Sequence, residues 1–230
     1  MRTISIAYCR AAAYLSLAVA SFSIISLADA GTIASATVFA GSPGLGSVNV
    51  LPLILTPNPT NDNQAGGGGA DNNIFVPLKV FDNSGYIDIE FTVVPDNGVT
   101  EYKVFESVDN NTGIPWSSYS MTLGYGTGAA FVPATAGDGL DFDDPQHDTP
   151  ATSTAFPVVA EGEKTLDFSG GLQDSGAKVY QFRIDVPNLN ATGATATFTL
   201  RQLPTAIPEP ASVALAALAL AGFAFVLRRN

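Results

Sequence analysis

The sequence predicts an all-β protein: a single antiparallel β-sandwich that spans residues 31–205, between two apolar terminal segments. Three observations support this fold class. Apolar and polar residues alternate with period two in several segments, as expected of strands that bury one face. Turn-forming sequences separate these segments. No amphipathic helix pattern stands out between residues 31 and 205, so a two-layer sandwich is expected.

The first 30 residues have the organisation of a secretory signal peptide with a helical apolar core. Positive charge, an apolar run and two small residues separated by one residue follow in order: Arg2 and Arg10, residues 11–27, and Ala28 and Ala30. The mature chain is therefore expected to begin at Gly31. Because the two arginines are not adjacent, we expect the general secretory (Sec) route. An N-terminal anchor that is never cleaved is the alternative.

Four segments show the clearest strand pattern, with apolar residues at every second position. Such residues are expected to share the buried face of a strand. The predicted buried faces are Ile74, Val76, Leu78 and Val80; Ile87, Ile89, Phe91 and Val93; Tyr180, Phe182, Ile184 and Val186; and Ala196, Phe198 and Leu200.

Turns and one long loop are predicted to connect the strands. Residues 82–85 and 95–98 contain Asn and Gly, which tolerate positive φ, so they predict tight turns. These turns predict a meander of three consecutive strands. Residues 58–73 contain four consecutive glycines and are predicted to form a flexible loop within the same domain. Eight or nine strands are expected in all, and the remaining candidates are residues 47–55, 100–108, 117–123 and 155–160.

The C-terminal segment, residues 206–230, combines a helix breaker, an apolar run and a basic stop. The proline-containing motif prevents a helix from extending backwards. The apolar run lies at the short end of the roughly 17–25 residues that span a bilayer. The arginines that follow favour the cytoplasmic side of a membrane. In order, these features are Pro208, Glu209 and Pro210, the predicted transmembrane helix at about residues 211–227, and Arg228 and Arg229.

This order of features resembles the PEP-CTERM sorting signal of Gram-negative bacteria. The resemblance covers residues 207–230, and Ile207 stands where many members carry valine. It implies that the chain is exported, held transiently in the inner membrane and processed near Pro208 by exosortase, a membrane protease-transpeptidase. It also implies delivery to the cell surface or the exopolysaccharide matrix. A permanent C-terminal anchor is the alternative.

A second resemblance lies in the segment from residue 104 to residue 142. The sequences NNTGIPWSSY at residues 110–119 and LGYGTG at residues 123–128 resemble a stretch of exported bacterial surface domains of the choice-of-anchor type. Those domains have no established catalytic activity. The resemblance therefore favours a surface domain that is not an enzyme.

Composition restricts the classes of partner. Residues 31–205 contain six basic and 19 acidic residues, which gives a formal net charge of −13. So acidic a surface repels nucleic acid and anionic lipid, and we expect no nucleic-acid partner. It suits solubility, cation binding or contact with neutral polysaccharide. The only cysteine, Cys9, lies in the predicted signal peptide, so the mature chain has no disulfide and no thiolate metal site.

One acidic stretch is the candidate metal site, and no other cofactor is expected. Clustered carboxylates repel one another unless a cation neutralises them, and Ca²⁺ takes about six to eight oxygen ligands. The EF-hand spacing is absent, and a solvated acidic loop is the alternative. The candidate calcium ligands are Asp138, Asp141, Asp143 and Asp144, with His147 and Asp148 beside them.

No catalytic residue is predicted. A Ser-His-Asp triad would have to use His147, the only histidine, and no Gly-x-Ser-x-Gly motif accompanies it. A glycoside hydrolase needs a pair of carboxylates at a fixed separation, which only the fold can reveal. The glutamates considered for such a pair are Glu90, Glu101, Glu106, Glu161 and Glu163.

Two aromatic residues are candidates for contact with sugar. Trp116 and Tyr119 lie close together in the sequence, and exposed aromatic rings stack on sugars. The alternative is that both fill the core of the sandwich, as buried tryptophans commonly do. We therefore expect a structural or adhesive protein of the cell surface or exopolysaccharide matrix. A non-catalytic carbohydrate-binding module is the alternative function, and a secreted hydrolase is the third.

Overall fold

The structure is a computed structural model that describes residues 31–49, 72–95, 100–143, 150–189 and 196–207. The predicted signal peptide, residues 58–71 of the predicted loop and the predicted transmembrane helix lie outside the described residues. Within the described ranges, no helix is both long enough and apolar enough to cross a membrane.

The described residues contain twelve β-strands and one 3₁₀ turn, Gly128–Ala130, which lies between β6 and β7. In chain order the strands are β1 Gly31–Val38, β2 Leu45–Asn49, β3 Asn72–Phe81, β4 Ile87–Pro95, β5 Thr100–Asn110, β6 Trp116–Tyr125, β7 Val132–Pro133, β8 Thr152–Ser153, β9 Val158–Gly162, β10 Thr165–Ser169, β11 Gly176–Val186 and β12 Ala196–Ala206.

The strands form two packed sheets, which confirms the predicted all-β sandwich. The seven-stranded sheet has the order β1-β4-β12-β6-β10-β9, with β7 paired to β6. The five-stranded sheet has the order β2-β3-β5-β11-β8. One pairing departs from the predicted antiparallel arrangement, because β3 and β5 run parallel. Parallel neighbours need a crossover, and here the chain passes through β4 of the other sheet between them.

The core lies between the sheets and is built from the alternating faces of the strands. The predicted buried residues of β4 and β11 are all buried, as are Phe198 and Leu200 of β12. In β4 these residues face the core from the seven-stranded sheet, and in β11 they face it from the five-stranded sheet. Period-two alternation therefore identified the buried faces of these three strands correctly.

The predicted three-strand meander is wrong. The turn after β3 carries the chain into the other sheet, where β4 pairs with β1 and β12. Phe81 before the turn and Ile87 after it are both buried, because the two sheets face the same core from opposite sides. Gly85 has a φ of 140° in this crossing, a conformation that residues with a Cβ rarely adopt.

The predicted buried face of β3 is correct only for its first half. Ile74 and Val76 are buried, but Leu78 is 40% exposed, and Lys79 points inward instead. The parallel pairing with β5 shifts register between Val76 and Lys79. Pro77 lies in this shift and has no amide hydrogen to donate to a neighbouring strand. An irregularity of one residue exchanges the two faces of a strand, so a lysine replaces an apolar residue in the core.

Candidate functional site

The two aromatic residues considered for sugar contact lie in the core. Trp116 and Tyr119 are 1% and 0% exposed, and their rings are stacked with centroids 6.0 Å apart. Phe81 packs edge-on against Trp116, with ring centroids 5.2 Å apart. Neither ring presents a face to solvent, so these two residues cannot make the sugar contact that was considered for them. They pack as the core alternative predicts.

Three polar side chains meet in the interior, between the two sheets. Lys79 of β3 and Gln202 of β12 are each 0% exposed, and Glu106 of β5 is 2% exposed. Lys79 Nζ donates to Glu106 Oε2 at 2.6 Å and also to Gln202 Oε1. Gln202 Nε2 donates to both oxygens of Glu106 at 2.9 Å each. These contacts connect the five-stranded sheet to the seven-stranded sheet through a closed network of hydrogen bonds.

The surroundings of this network are aromatic, and they disfavour charge. Lys79 Nζ lies 5.7 Å from the centroid of the Tyr119 ring. Burial lowers the pKa of Lys79, and the charge and hydrogen bond of Glu106 oppose that shift without cancelling it. Burial also raises the pKa of Tyr119, and the negative charge of Glu106 raises it further. The tyrosine therefore stays protonated beside the carboxylate.

A second polar network joins β4 to β12 on the outer face of the seven-stranded sheet. Asp88, which the sequence places on a solvated face, is fully buried and receives two hydrogen bonds of 2.7 Å from Arg201. Its Oδ2 also accepts the amide hydrogen of Gly128 at 2.8 Å. The Arg201 guanidinium lies 3.8 Å from the Tyr86 ring centroid and 4.0 Å from that of Phe131. A charged pair enclosed in this way is structural.

The predicted calcium ligands that the structure describes do not form one group of neighbouring carboxylates. Asp138 accepts hydrogen bonds from Lys164 Nζ at 2.8 Å and from the Tyr125 hydroxyl at 3.0 Å. Burial raises the pKa of Asp138, but the bonds from Lys164, the Leu140 amide and Tyr125 outweigh burial and lower it. Asp138 is thus already neutralised by a lysine.

Asp143 joins a different group of carboxylates. Glu101, Asp143 and Asp185 are buried, and one ligand atom of each lies within 4.8 Å of the others. Glu101 and Asp185 are register partners of β5 and β11, and Asp141 forms an isolated bridge with Asp185 through the backbone. Arg183 Nη1 contacts Glu101 Oε1 and supplies one positive charge.

Calcium binding stays a prediction. Of the four predicted ligands, only Asp143 belongs to this carboxylate group, and Asp144 lies outside the described residues, as do His147 and Asp148. A ligand that binds only the folded state raises the melting temperature. A melting temperature that a chelator leaves unchanged would contradict the prediction.

The five glutamates considered for glycoside hydrolysis each engage different partners. Glu106 contacts Lys79, Glu101 contacts Arg183, and Glu163 contacts Lys164. Glu161 Oε1 accepts the Ala151 amide hydrogen at 2.8 Å, and Glu90 lies 3.4 Å from the Thr197 hydroxyl. None of these contacts, all of them among the described residues, joins two of the five glutamates to each other.

The two predicted processing sites flank the described domain. Gly31, the predicted first residue of the mature chain, is the first residue of β1 and is buried. A Cβ at this position would lie 2.3 Å from the Pro187 carbonyl oxygen, so the close packing here requires glycine. At the other end, β12 extends to Ala206, and Ile207 donates its amide hydrogen to Pro115 at 2.8 Å. The folded domain thus reaches the residue before Pro208.

Comparison with known proteins identifies the C-terminal segment. Residues 206–229 match the family model of the PEP-CTERM protein-sorting motif. The chain carries a PEP-CTERM sorting motif. This motif marks a protein that is exported, anchored transiently in a membrane and sorted to the cell surface through exosortase, a membrane protease. No curated protein and no solved structure matches the chain.

The central polar network is not evident from the sequence pattern. The alternation in β3 placed Lys79 on the solvent face, and nothing in the pattern of β12 indicated that Gln202 faces inward. Pro77 was the available signal, because proline in the interior of a paired strand indicates an irregularity. Glu106 was noted only as one of five glutamates, without its partners.

Proposed function

We propose that the sandwich is a non-enzymatic structural or adhesive module of the cell surface or exopolysaccharide matrix, exported by the Sec route. The observation that carries this proposal is the sorting motif at residues 206–229. The position of the motif also supports it, because the last strand ends at Ala206. A folded domain followed immediately by a processing signal suits a cargo that is released outside the cell.

The charge and the buried polar residues of the domain are consistent with this role. The net charge of −13 between residues 31 and 205 favours hydration and disfavours nucleic acid. The glutamates considered for catalysis each contact a lysine, an arginine, a backbone amide or a threonine. A secreted hydrolase would require a glutamate whose change to glutamine abolishes an activity, and the described contacts offer no favoured candidate for it.

Changing Pro208 and Glu209 to alanine should stop processing of the tail in the native host. We expect the wild-type protein in the surface or matrix fraction, with an intact mass that runs from Gly31 to near Pro208. The double variant should stay in the membrane fraction and retain Asn230. Asp174→Asn is a matched control, since it removes one exposed acidic charge that is not part of the motif. A wild-type protein that retains Asn230 in the membrane would instead indicate a permanent anchor.

A carbohydrate-binding module is the second candidate, and one observation favours it. Phe75 and Phe105 are register partners on β3 and β5, and their rings are stacked with centroids 5.3 Å apart. Both are partly exposed on the outer face of the five-stranded sheet, and Lys103 Nζ lies 5.0 Å from the Phe105 ring centroid. Partly exposed aromatic side chains of this kind can contact sugar rings.

Calorimetric titration with polysaccharide from the native host separates the two candidates. If the module binds sugar through this aromatic pair, Phe105→Ala should weaken binding at least tenfold, which corresponds to about 1.4 kcal/mol. Val158→Ala is the control, because it removes an exposed apolar side chain from the other sheet. If the wild-type protein shows no heat of binding, the carbohydrate-binding candidate is rejected and the structural or adhesive role is favoured.

A further inference from the structure

We propose that Lys79 and Gln202 become joined by an intramolecular isopeptide bond, formed with loss of ammonia, and that Glu106 transfers the protons. The bond ties β3 of the five-stranded sheet to β12 of the seven-stranded sheet. This inference concerns the chemistry of the core, and it does not depend on whether the domain is adhesive, structural or sugar-binding.

The first support is the contact between the reacting groups. Lys79 Nζ donates to Gln202 Oε1, the oxygen that is bonded directly to Cδ, the carbon that an amine must attack. The two residues are 123 positions apart in the sequence, and the folded sandwich holds them in contact. Holding a nucleophile against its target removes much of the entropic barrier to the reaction.

The second support is the position of the carboxylate. Glu106 accepts a hydrogen bond from Lys79 Nζ at 2.6 Å and from Gln202 Nε2 at 2.9 Å. It therefore touches both the nitrogen that must lose a proton and the nitrogen that must gain one before it leaves. A general acid–base catalyst must lie within hydrogen-bonding distance of the atoms that it serves, and Glu106 meets this condition for both.

The third support is the burial of all three side chains. Tyr119, Phe81 and Trp116 are buried in the same core, and Tyr119 and Phe81 also contact each other, with ring centroids 6.0 Å apart. A site without water protects the reacting amide from hydrolysis. Only an uncharged amine is a nucleophile, and burial lowers the pKa of Lys79 in the direction that favours this form.

The proposed reaction balances without an oxidant or a further reactant. The Lys79 ammonium gives one proton to the Glu106 carboxylate, and neutral Nζ attacks Cδ of Gln202 to form the new N–C bond. The Glu106 carboxylic acid then protonates Nε2, and the bond from Cδ to Nε2 breaks. Glu106 takes a second proton from Nζ, which keeps its third proton as the amide hydrogen, and the ammonia carries the released proton away as ammonium.

The composition of the chain indicates why such a bond would stabilise the domain. The only cysteine, Cys9, precedes the predicted mature chain, so an exported domain of this sequence has no disulfide to stabilise it. An amide bond between the sheets supplies a covalent cross-link that is independent of redox conditions.

The test is peptide mapping of the processed protein purified from its native host. Trypsin digestion after denaturation should give the peptide that ends at Lys103, uncut at Lys79, joined to the peptide that begins at Gln202. The intact mass should be lower than the sequence mass by one ammonia. Cyclisation of Asn97-Gly98 also releases ammonia, so the joined peptides decide the result. Cleavage after Lys79 together with a free Gln202 peptide would overturn the proposal.

Variants test the role of each group. Lys79→Met should abolish the joined peptides, and Glu106→Gln should abolish them or slow their formation at least 100-fold. Lys178→Met, which removes a lysine from outside the core, should leave them intact. Peptide mapping of the wild-type protein shows whether the isopeptide bond is present, even if a core variant does not fold. A Glu106→Gln protein that forms the bond as fast as the wild type would overturn the role assigned to Glu106.

Discussion

Replacing Asp88 by alanine should lower the free energy of unfolding by about 3–5 kcal/mol, the usual cost of removing one partner of a buried ion pair. Asp88 is fully buried and holds Arg201 through two hydrogen bonds of 2.7 Å. Without the carboxylate, the Arg201 guanidinium would remain largely enclosed, since its side chain is only 20% exposed. The Gly128 amide would also lose its acceptor.

The geometry of Arg201 explains why lysine should not replace it. The guanidinium binds both oxygens of Asp88, donates to the Gly128 carbonyl oxygen at 2.7 Å and lies between two aromatic rings. A lysine ammonium cannot make this planar, two-pronged contact. We therefore expect Arg201→Lys to destabilise the domain as well, by about 1–3 kcal/mol.

Urea unfolding followed by circular dichroism measures both effects. Asp174→Asn is the control, because Asp174 is exposed and its change should alter stability by less than about 0.5 kcal/mol. An Asp88→Ala protein as stable as this control would show that the buried pair contributes little. The m-value should be unchanged, since the same surface is exposed on unfolding.

The sequence predicted the class of fold because burial follows a simple period in most strands. In β4, residues Ile87 and Ile89 face the core as the alternation requires. Alternation reports which face of a strand is buried, but it does not say which of two sheets the strand joins. The meander prediction failed for this reason, since β3 and β4 belong to opposite sheets that face the same core.

The polar interior could not be predicted from the pattern. Lys79 reaches the core only because the pairing of β3 changes register near Pro77, and a single sequence does not reveal such a shift. Asp88 is charged and lies on the outward-facing side of β4 in the alternation, which predicts exposure. It is buried because Arg201 and the loop around Gly128 cover it. Polar side chains so distant in sequence can be recognised as partners only once the arrangement of the strands is known. The C-terminal motif was predictable because all of its features are contiguous.

Changing Lys79 to methionine should produce the second large loss of stability, about 3–5 kcal/mol, if Lys79 and Glu106 form only an ion pair. The carboxylate of Glu106 would remain buried with Gln202 as its hydrogen-bond donor and without its cation. If Lys79 is covalently bonded to Gln202, Lys79→Met also removes the stabilisation that the cross-link gives to the folded state. Closing a loop of more than 100 residues stabilises a fold by about 4–5 kcal/mol in the chain-entropy model.

A triple variant, Lys79→Met with Glu106→Leu and Gln202→Leu, separates these two contributions. Replacing a buried ion pair by apolar groups of similar size is often neutral or stabilising. Gln202 is replaced as well, because its buried amide is hydrogen-bonded to Lys79 and Glu106 and would otherwise lose these partners. If the network is only an ion pair, the triple variant should regain most of the stability that Lys79→Met loses. If Lys79 is bonded to Gln202, the triple variant should remain several kcal/mol less stable than the wild type, because both variants lack the covalent cross-link. Unfolding of these two variants, with Lys178→Met as control, therefore measures the contribution of the cross-link independently of peptide mapping.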